Sequence, residues 1–215
     1  MTKIAIWGAS GHGRVVLDAA RVSGAFSVVG FIDDAPGLKG QSLADCPVLG
    51  GQEALPQLLS VGVTAIHVAV GSCPARAAIT QRLLAEGFTP ATVVHPRSII
   101  AGDVNVGTGA FVAAGVVVNS GATVGGHVIL NTSCSVDHDC VIGDGVHLAP
   151  GVRIGGLTSV GAGTFIGIGA TVLNCRRIGE HTIVGGGAVV VNDLPAGVVA
   201  YGVPAKVVRK KRANE

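Results

Sequence analysis

The sequence predicts an α/β protein built in series: a small parallel-sheet domain over residues 1–94, a left-handed parallel β-helix of six-residue repeats over 95–192, and a C-terminal extension over 193–215. Three observations carry this. Aliphatic residues recur at strict intervals of six from Ile100 to Val190. Glycine is abundant but regional, with 20 of 34 lying between Gly102 and Gly187. Before residue 94 the pattern is instead short apolar runs alternating with helical spacing, the order of a parallel sheet.

The repeat is the firmest element, because internal periodicity decides the architecture. Counting in sixes from Ile100 gives Val106, Val112, Val118, Val124, Leu130 and Val136, and continues in register to Val190, aliphatic at all sixteen positions. An α-helix has period 3.6 and drifts out of such a register, and an ordinary strand does not run for ninety residues. The residue after each aliphatic is Gly in eight hexads, with Asn119, Asn131 and Asp137 in three more. That composition predicts a left-handed backbone conformation at this corner position. The fifth position is small or aliphatic, as at Ala110, Val116, Cys134 and Cys140, and reads as an inward filler. Each hexad is therefore a short strand plus a corner. This pattern resembles the hexapeptide-repeat acyltransferases, in which three hexads make one triangular coil of eighteen residues, giving about five coils here.

In the first ninety residues, Lys3-Ile4-Ala5-Ile6-Trp7 reads as a strand and GASGHG at 8–13 as a glycine turn. Residues 14–20 have helical apolar spacing. A second strand over 27–32 ends in Asp33-Asp34, a third over 65–70 ends in Gly71-Ser72, and a helix over 74–86 stops at Gly87. A glycine turn between strand and helix points backbone N–H groups at an anion, aided by the helix dipole. Its GxxGxG spacing differs from that of dinucleotide enzymes, and ninety residues suit a single nucleotide better than a dinucleotide. Asp33 or Asp34 stands at a strand's C-terminal end, where a carboxylate binds ribose or base edges.

Composition excludes other classes. Net charge is +2, so no nucleic-acid partner is expected. The basic tail from Lys206 to Arg212 reads as a solvated terminus. No uninterrupted apolar stretch approaches the roughly 18 residues of a membrane span, and MTKIAIWGASGHG lacks the pattern of a signal peptide. Five cysteines without a CxxC pair or metal-like spacing read as reduced thiols of a cytoplasmic protein.

GASGHG, the IDD strand end and a hexad helix carrying NTSCSVDHDCVIGDGVHL together resemble the nucleotide-sugar N-acetyltransferases of the sialic-acid-O-acetyltransferase-like family. The likeness covers essentially the whole chain, including the closing Tyr201-Gly202-Val203-Pro204-Ala205-Lys206. It implies acetyl transfer from acetyl-CoA to the 4-amino group of a UDP- or GDP-linked 4-amino-4,6-dideoxy sugar, for polysaccharide assembly, by a homotrimer without metal. It implies His138 as catalytic base with Asp139 beside it. Ser10, Gly11, His12, Asp33, Asp34 and Gly71 would bind the nucleotide sugar, with Asn131 near the reacting centre. His147, Ile168 and Gly186 would contact coenzyme A between subunits. The chemistry agrees: amine attack on a thioester releases a proton, and an imidazole with pKa about 6.5, steadied by a carboxylate, suits its removal. At most one of Asp137 and Asp139 is expected to reach the ring, since neighbouring strand residues point oppositely.

Other expectations stand beside this one. Cys134 and Cys140 flank His138, but their filler position predicts burial rather than acyl-cysteine chemistry. A face of Val and Ala on the prism would be a large apolar patch that trimer packing covers. The competing functions are O-acetylation of sialic acid or another sugar hydroxyl, a nucleotide-sugar-binding scaffold without catalysis, and, from the glycine turn alone, a nicotinamide oxidoreductase.

Overall fold

The computed structural model describes residues 1–212, so the end of the 193–215 extension lies outside the described residues. The chain divides into two compact units, Met1–Pro96 and a second from Arg97 onward.

The first unit is a sheet of parallel strands. β1 (Thr2–Trp7) lies at its centre, between β2 (Phe26–Ile32) and the later β5 (Ala65–Val68). Its residues Ile4, Ala5 and Ile6 are fully buried, as expected of a central parallel strand covered on both faces. Helix α1 (Gly11–Ser23) buries Val16, Leu17, Ala19 and Ala20. Between β2 and β5 run four elements that the sequence pattern did not reveal: a hairpin of β3 (Ser42–Leu43) with β4 (Cys46–Gly50), a 3₁₀ turn (Gln52–Ala54) and a short helix α2 (Leu55–Ser60). β4 pairs with β2 in parallel. Helix α3 (Cys73–Ala85) is capped by the Ser72 hydroxyl, which accepts the Ala75 N–H at 3.4 Å. Gly87 follows at φ +87°, where only glycine is unstrained. Strand β6 (Thr89–Pro90) completes the edge beside β5.

The second unit is a parallel β-helix. Each two-residue strand pairs with the strand eighteen residues on, as in Phe111↔Ile129, Ser135↔Arg153 and Thr123↔Val141. Three faces result. The first holds Phe111–Val112 to Ile183–Val184, then Val198–Gly202 and the antiparallel Ala205–Lys210. The second runs from Ile99–Ile100 to Val189–Val190, and the third from Asn105–Val106 to Arg177–Ile178. The hexad aliphatics fill the interior: Val112, Val118, Leu130, Val136, Ile142 and Leu148 are all essentially buried. Each such side chain is worth roughly 1.5–3 kcal/mol on burial. Where the filler is Thr, its hydroxyl finds an acceptor on the next coil: Thr164 donates to Gly179 O at 2.8 Å and Thr182 to Pro195 O at 2.8 Å.

Two expectations need correction. The left-handed residue is three positions after the aliphatic, at Gly109, Gly115, Gly121, His127, Ser133 and Asp139, and so on along the helix. It is not the glycine immediately after the aliphatic. That glycine answers to coil stacking: a Cβ on Gly143 would lie 2.8 Å from Ala162 N and 3.0 Å from Val160 O. The outward faces also differ from a Val and Ala surface. At the outward positions of the first face Phe111, Ile129 and His147 are buried and Phe165 and Ile183 half-buried, whereas the others mix Arg153, Thr171, Asn105, Thr123 and Arg177 with Val117, Val141 and Val189.

Candidate functional site

Candidate residues fall in three places. In the first unit, Gly8 N–H donates to Ile32 O at 2.7 Å and Ala9 N–H to Asp33 Oδ2 at 2.7 Å, tying the glycine turn to the end of β2. Gly8 has φ +114°, and a Cβ on Gly13 would collide with Gly8 O, so the turn closes on the start of α1 only with glycine at both positions. Ser10 is the N-cap residue, but its side chain makes no capping bond and is exposed. Gly11 is exposed beside it, and His12 is partly buried.

Both Asp33 oxygens accept backbone N–H groups, the second from Ala35 at 2.9 Å. Asp33 therefore shapes the turn as well as facing its edge. Asp34 accepts Gln52 N–H at 2.9 Å and lies 3.8 Å from Arg82 Nη1. A cleft of about 460 Å³ is lined by Asp33, Asp34, Gln52 and Arg82. Arg82 also donates to Gln52 Oε1 at 2.9 Å and lies over the Trp7 ring at 5.6 Å. Gly71 stands at the end of the next strand, its carbonyl 3.3 Å from Arg76 Nη1, which donates more closely to Val70 O at 2.8 Å. Arg76 is essentially buried, and burial holds its guanidinium below its ordinary pKa. Sequence reading missed Gln52, Arg76 and Arg82, because exposed polar side chains are the default for those residue types.

In the second unit, His138 follows the second-face strand Ser135–Val136, at the corner leading to the third face. Its Nδ1 is 2.8 Å from Asp139 Oδ2. A carboxylate only accepts, which assigns the proton to Nδ1 and leaves the Nε2 lone pair facing outward from the pair. Asp139 reaches back because it occupies the left-handed corner residue, at φ +55°. Asp137 does not touch the ring. It accepts the Asn119 side-chain N–H at 2.8 Å and His138 N–H at 2.8 Å, and these bonds, the first above all, lower its pKa. The His138 pKa is raised, first by the hydrogen bond to Asp139; desolvation opposes the rise, and the Asp137 and Asp139 charges add to it. The His138 side chain is 56% exposed, in a cleft of about 590 Å³ that also takes in Asn119, Arg153, Gly156 and Asn174. Asn119 was missed; adding eighteen to its number reaches Asp137, the signal that would have found it. Cys134 and Cys140 are fully buried, and burial pushes the Cys134 thiol up to about 12 and raises Cys140.

The third group lies at a different corner, between the first and second faces. Asn131 Nδ2 is 3.4 Å from His147 Nε2. His147 is nearly buried and meets the edge of Phe165, with ring centroids 5.1 Å apart. Ile168 is 63% exposed, and Gly186 stacks on it, a Cβ there lying 3.2 Å from Ile168 Cγ2. Within one chain Asn131 thus meets His147 rather than His138, which stands at the far end of the second-face strand.

Residues 3–83 match the family model described as the PglD N-terminal domain. GDP-perosamine N-acetyltransferase of Escherichia coli O157:H7 is 28% identical over 90 residues, a match spanning 42% of this chain and 41% of that protein's length. The structure of PerB from Caulobacter crescentus, in complex with CoA and GDP-perosamine, is 37% identical with TM-score 0.91, covering 97% of this chain and 98% of that one. The chain belongs to the nucleotide-sugar N-acetyltransferases of the hexapeptide-repeat class. The acetyltransferase domain of PglB from Neisseria gonorrhoeae is also similar, 35% identical with TM-score 0.89, covering 97% of this chain and 100% of that domain. The family's two halves, a PglD-type sheet unit and a parallel β-helix, are both present in this member.

Proposed function

We propose that the protein is an acetyl-CoA-dependent N-acetyltransferase. Its acceptor is the 4-amino group of a GDP- or UDP-linked 4-amino-4,6-dideoxy sugar, and His138 is its general base. The carrying observation is the His138–Asp139 pair: Nδ1 is engaged at 2.8 Å, and Nε2 is a hydrogen-bond acceptor beside an open cleft. As the sugar nitrogen bonds to the thioester carbonyl carbon it loses a proton, which His138 Nε2 takes up. The Asp139 carboxylate holds the ring in the right tautomer and steadies the imidazolium that forms. Bound acetyl-CoA supplies the acyl group and a thiolate leaving group. The buried Cys134 and Cys140 thiols favour direct transfer over an acyl-cysteine route.

The sugar nucleotide is held by Ser10, Gly11, His12, Asp34 and Gly71 at the C-terminal strand ends, with Asp33 bracing the turn. Coenzyme A fits the other corner: exposed Ile168 and the side-chain-free backbone at Gly186 offer a narrow apolar strip for a pantetheine arm. Because one chain keeps that corner and Asn131 apart from His138, a complete site takes residues of a second copy, and a cyclic homotrimer supplies them. A monomeric mass by light scattering contradicts that assembly. No helix among the described residues is long and apolar enough to cross a membrane. The free cysteines Cys46, Cys73, Cys134, Cys140 and Cys175 support work in the reducing cytoplasm.

A thiol-release assay with acetyl-CoA and a panel of UDP-, GDP- and dTDP-linked 4-amino sugars tests the function. GDP-perosamine is the first to try, since the Caulobacter relative binds it. Turnover on none of the panel refutes the reading.

A further inference from the structure

We propose that Gly156 is a positioning residue for the His138 imidazole: its missing side chain leaves the space in which the ring lies with Nδ1 against Asp139. This deepens the function proposed above and rests on it. Gly156 is eighteen residues beyond His138 and stacks on it from the following coil. A Cβ on Gly156 would stand 2.6 Å from His138 Nε2, 2.8 Å from Cε1 and 3.0 Å from Cδ2. Those three ring atoms are its nearest neighbours, and all lie inside van der Waals contact.

Nothing else at Gly156 calls for glycine. Its φ lies outside the left-handed range, which the next residue, Leu157, occupies at +59°. At this corner the same hexad position carries Ser120, His138 and Asn174 in other coils, so the corner itself accepts side chains. Gly102 holds the equivalent position earlier in the helix, with no atom within 4 Å of a Cβ. Gly155, one residue before, is different in kind: a Cβ there would meet the Asn174 backbone at 2.7 Å. The glycine at 155 serves the coil, and the one at 156 serves the ring.

The ring is the free end of a side chain with two rotatable bonds, so a methyl group at 156 moves the imidazole rather than the coil. Moving it breaks the short contact with Asp139. That contact is the leading reason for the raised His138 pKa, so the pKa falls toward its ordinary value. Nε2 also turns away from the cleft, and a shift of about 1 Å in a reacting group costs on the order of a hundredfold in rate.

The test compares Gly156→Ala with Gly102→Ala in the full-length protein. Three quantities are read: the thermal midpoint, the His138 pKa by NMR titration, and kcat with both KM values. The expected result for Gly156→Ala is an unchanged midpoint, a lower His138 pKa and a kcat reduced about ten- to hundredfold at similar KM. Gly102→Ala should match wild type throughout. The double variant His138→Asn/Gly156→Ala should be no slower than His138→Asn alone, since the glycine acts through the ring. An unchanged titration, a wild-type kcat, or a lost fold in Gly156→Ala overturns the proposal, the last by making Gly156 a scaffold glycine. The titration needs no substrate, so a wild type that transfers no acetyl group refutes the function while this test still stands.

Discussion

Two corners of the same β-helix obey the hexad rule in opposite ways. Between the third and first faces, the residue after the aliphatic is Gly107, Gly125, Gly143, Gly161 and Gly179 in successive coils. Backbone stacks on backbone there, and a Cβ at any of the five would run into the next coil. Between the second and third faces the same positions hold Ala101, Asn119, Asp137, Gly155 and Leu173. Side chains link the coils at that corner, Asn119 to Asp137 at 2.8 Å, and His138 projects beside them. The proposed chemistry sits where the glycine column is broken, at a corner where side chains of neighbouring coils hold one another.

Breaking each corner in turn sharpens the contrast. The largest effect belongs to His138→Asn, which keeps size and polarity but cannot accept the proton. Turnover should fall about 10²–10⁴-fold while the sugar-nucleotide Kd, read by calorimetry, stays near wild type. A variant still turning over at wild-type rate would move the base elsewhere. Gly143→Ala attacks the other corner and should act on stability alone. Overpacking costs about 1–3 kcal/mol, which lowers the thermal midpoint by several degrees, with kcat unchanged in the folded protein. A Gly143→Ala protein with a wild-type midpoint would show that the column is not sterically required. The smallest effect is expected at the interior thiols. Cys134→Ala should retain kcat within about twofold and Cys134 should resist alkylation in the native protein, since its thiol is held at about 12. A large loss of turnover there would revive covalent catalysis.

Much of this was legible in the sequence for a physical reason. A six-residue period admits few backbone solutions, so the β-helix and its inward aliphatics followed from spacing alone. The glycine rule was misplaced by two residues. Composition shows that a position wants glycine, but not whether dihedral angle or close approach is the cause. Asp139 illustrates the other half: it is a left-handed residue without being glycine, because a short polar side chain tolerates that region. In the first unit the turn at 8–13 and the ends of β2 and β5 were readable, whereas β3 and α2 are too short to display a period. Arg76 was invisible because its burial depends on backbone carbonyls that only the fold brings near. The Asn131–His147 pairing crosses coils and likewise leaves no local trace.

The central claim is that the Asp137–Asp139 corner supplies a base tuned by Asp139. Comparing the pH dependence of kcat/KM for wild type and Asp139→Asn tests it most directly, because ionisation of the substrate amine contributes equally to both. The folded-state His138 pKa is raised above its ordinary value, so wild-type activity should fall as pH drops through a pKa above about 6.5. In Asp139→Asn that acidic limb should move to lower pH and the plateau should drop. Superimposable profiles of equal height would contradict the account.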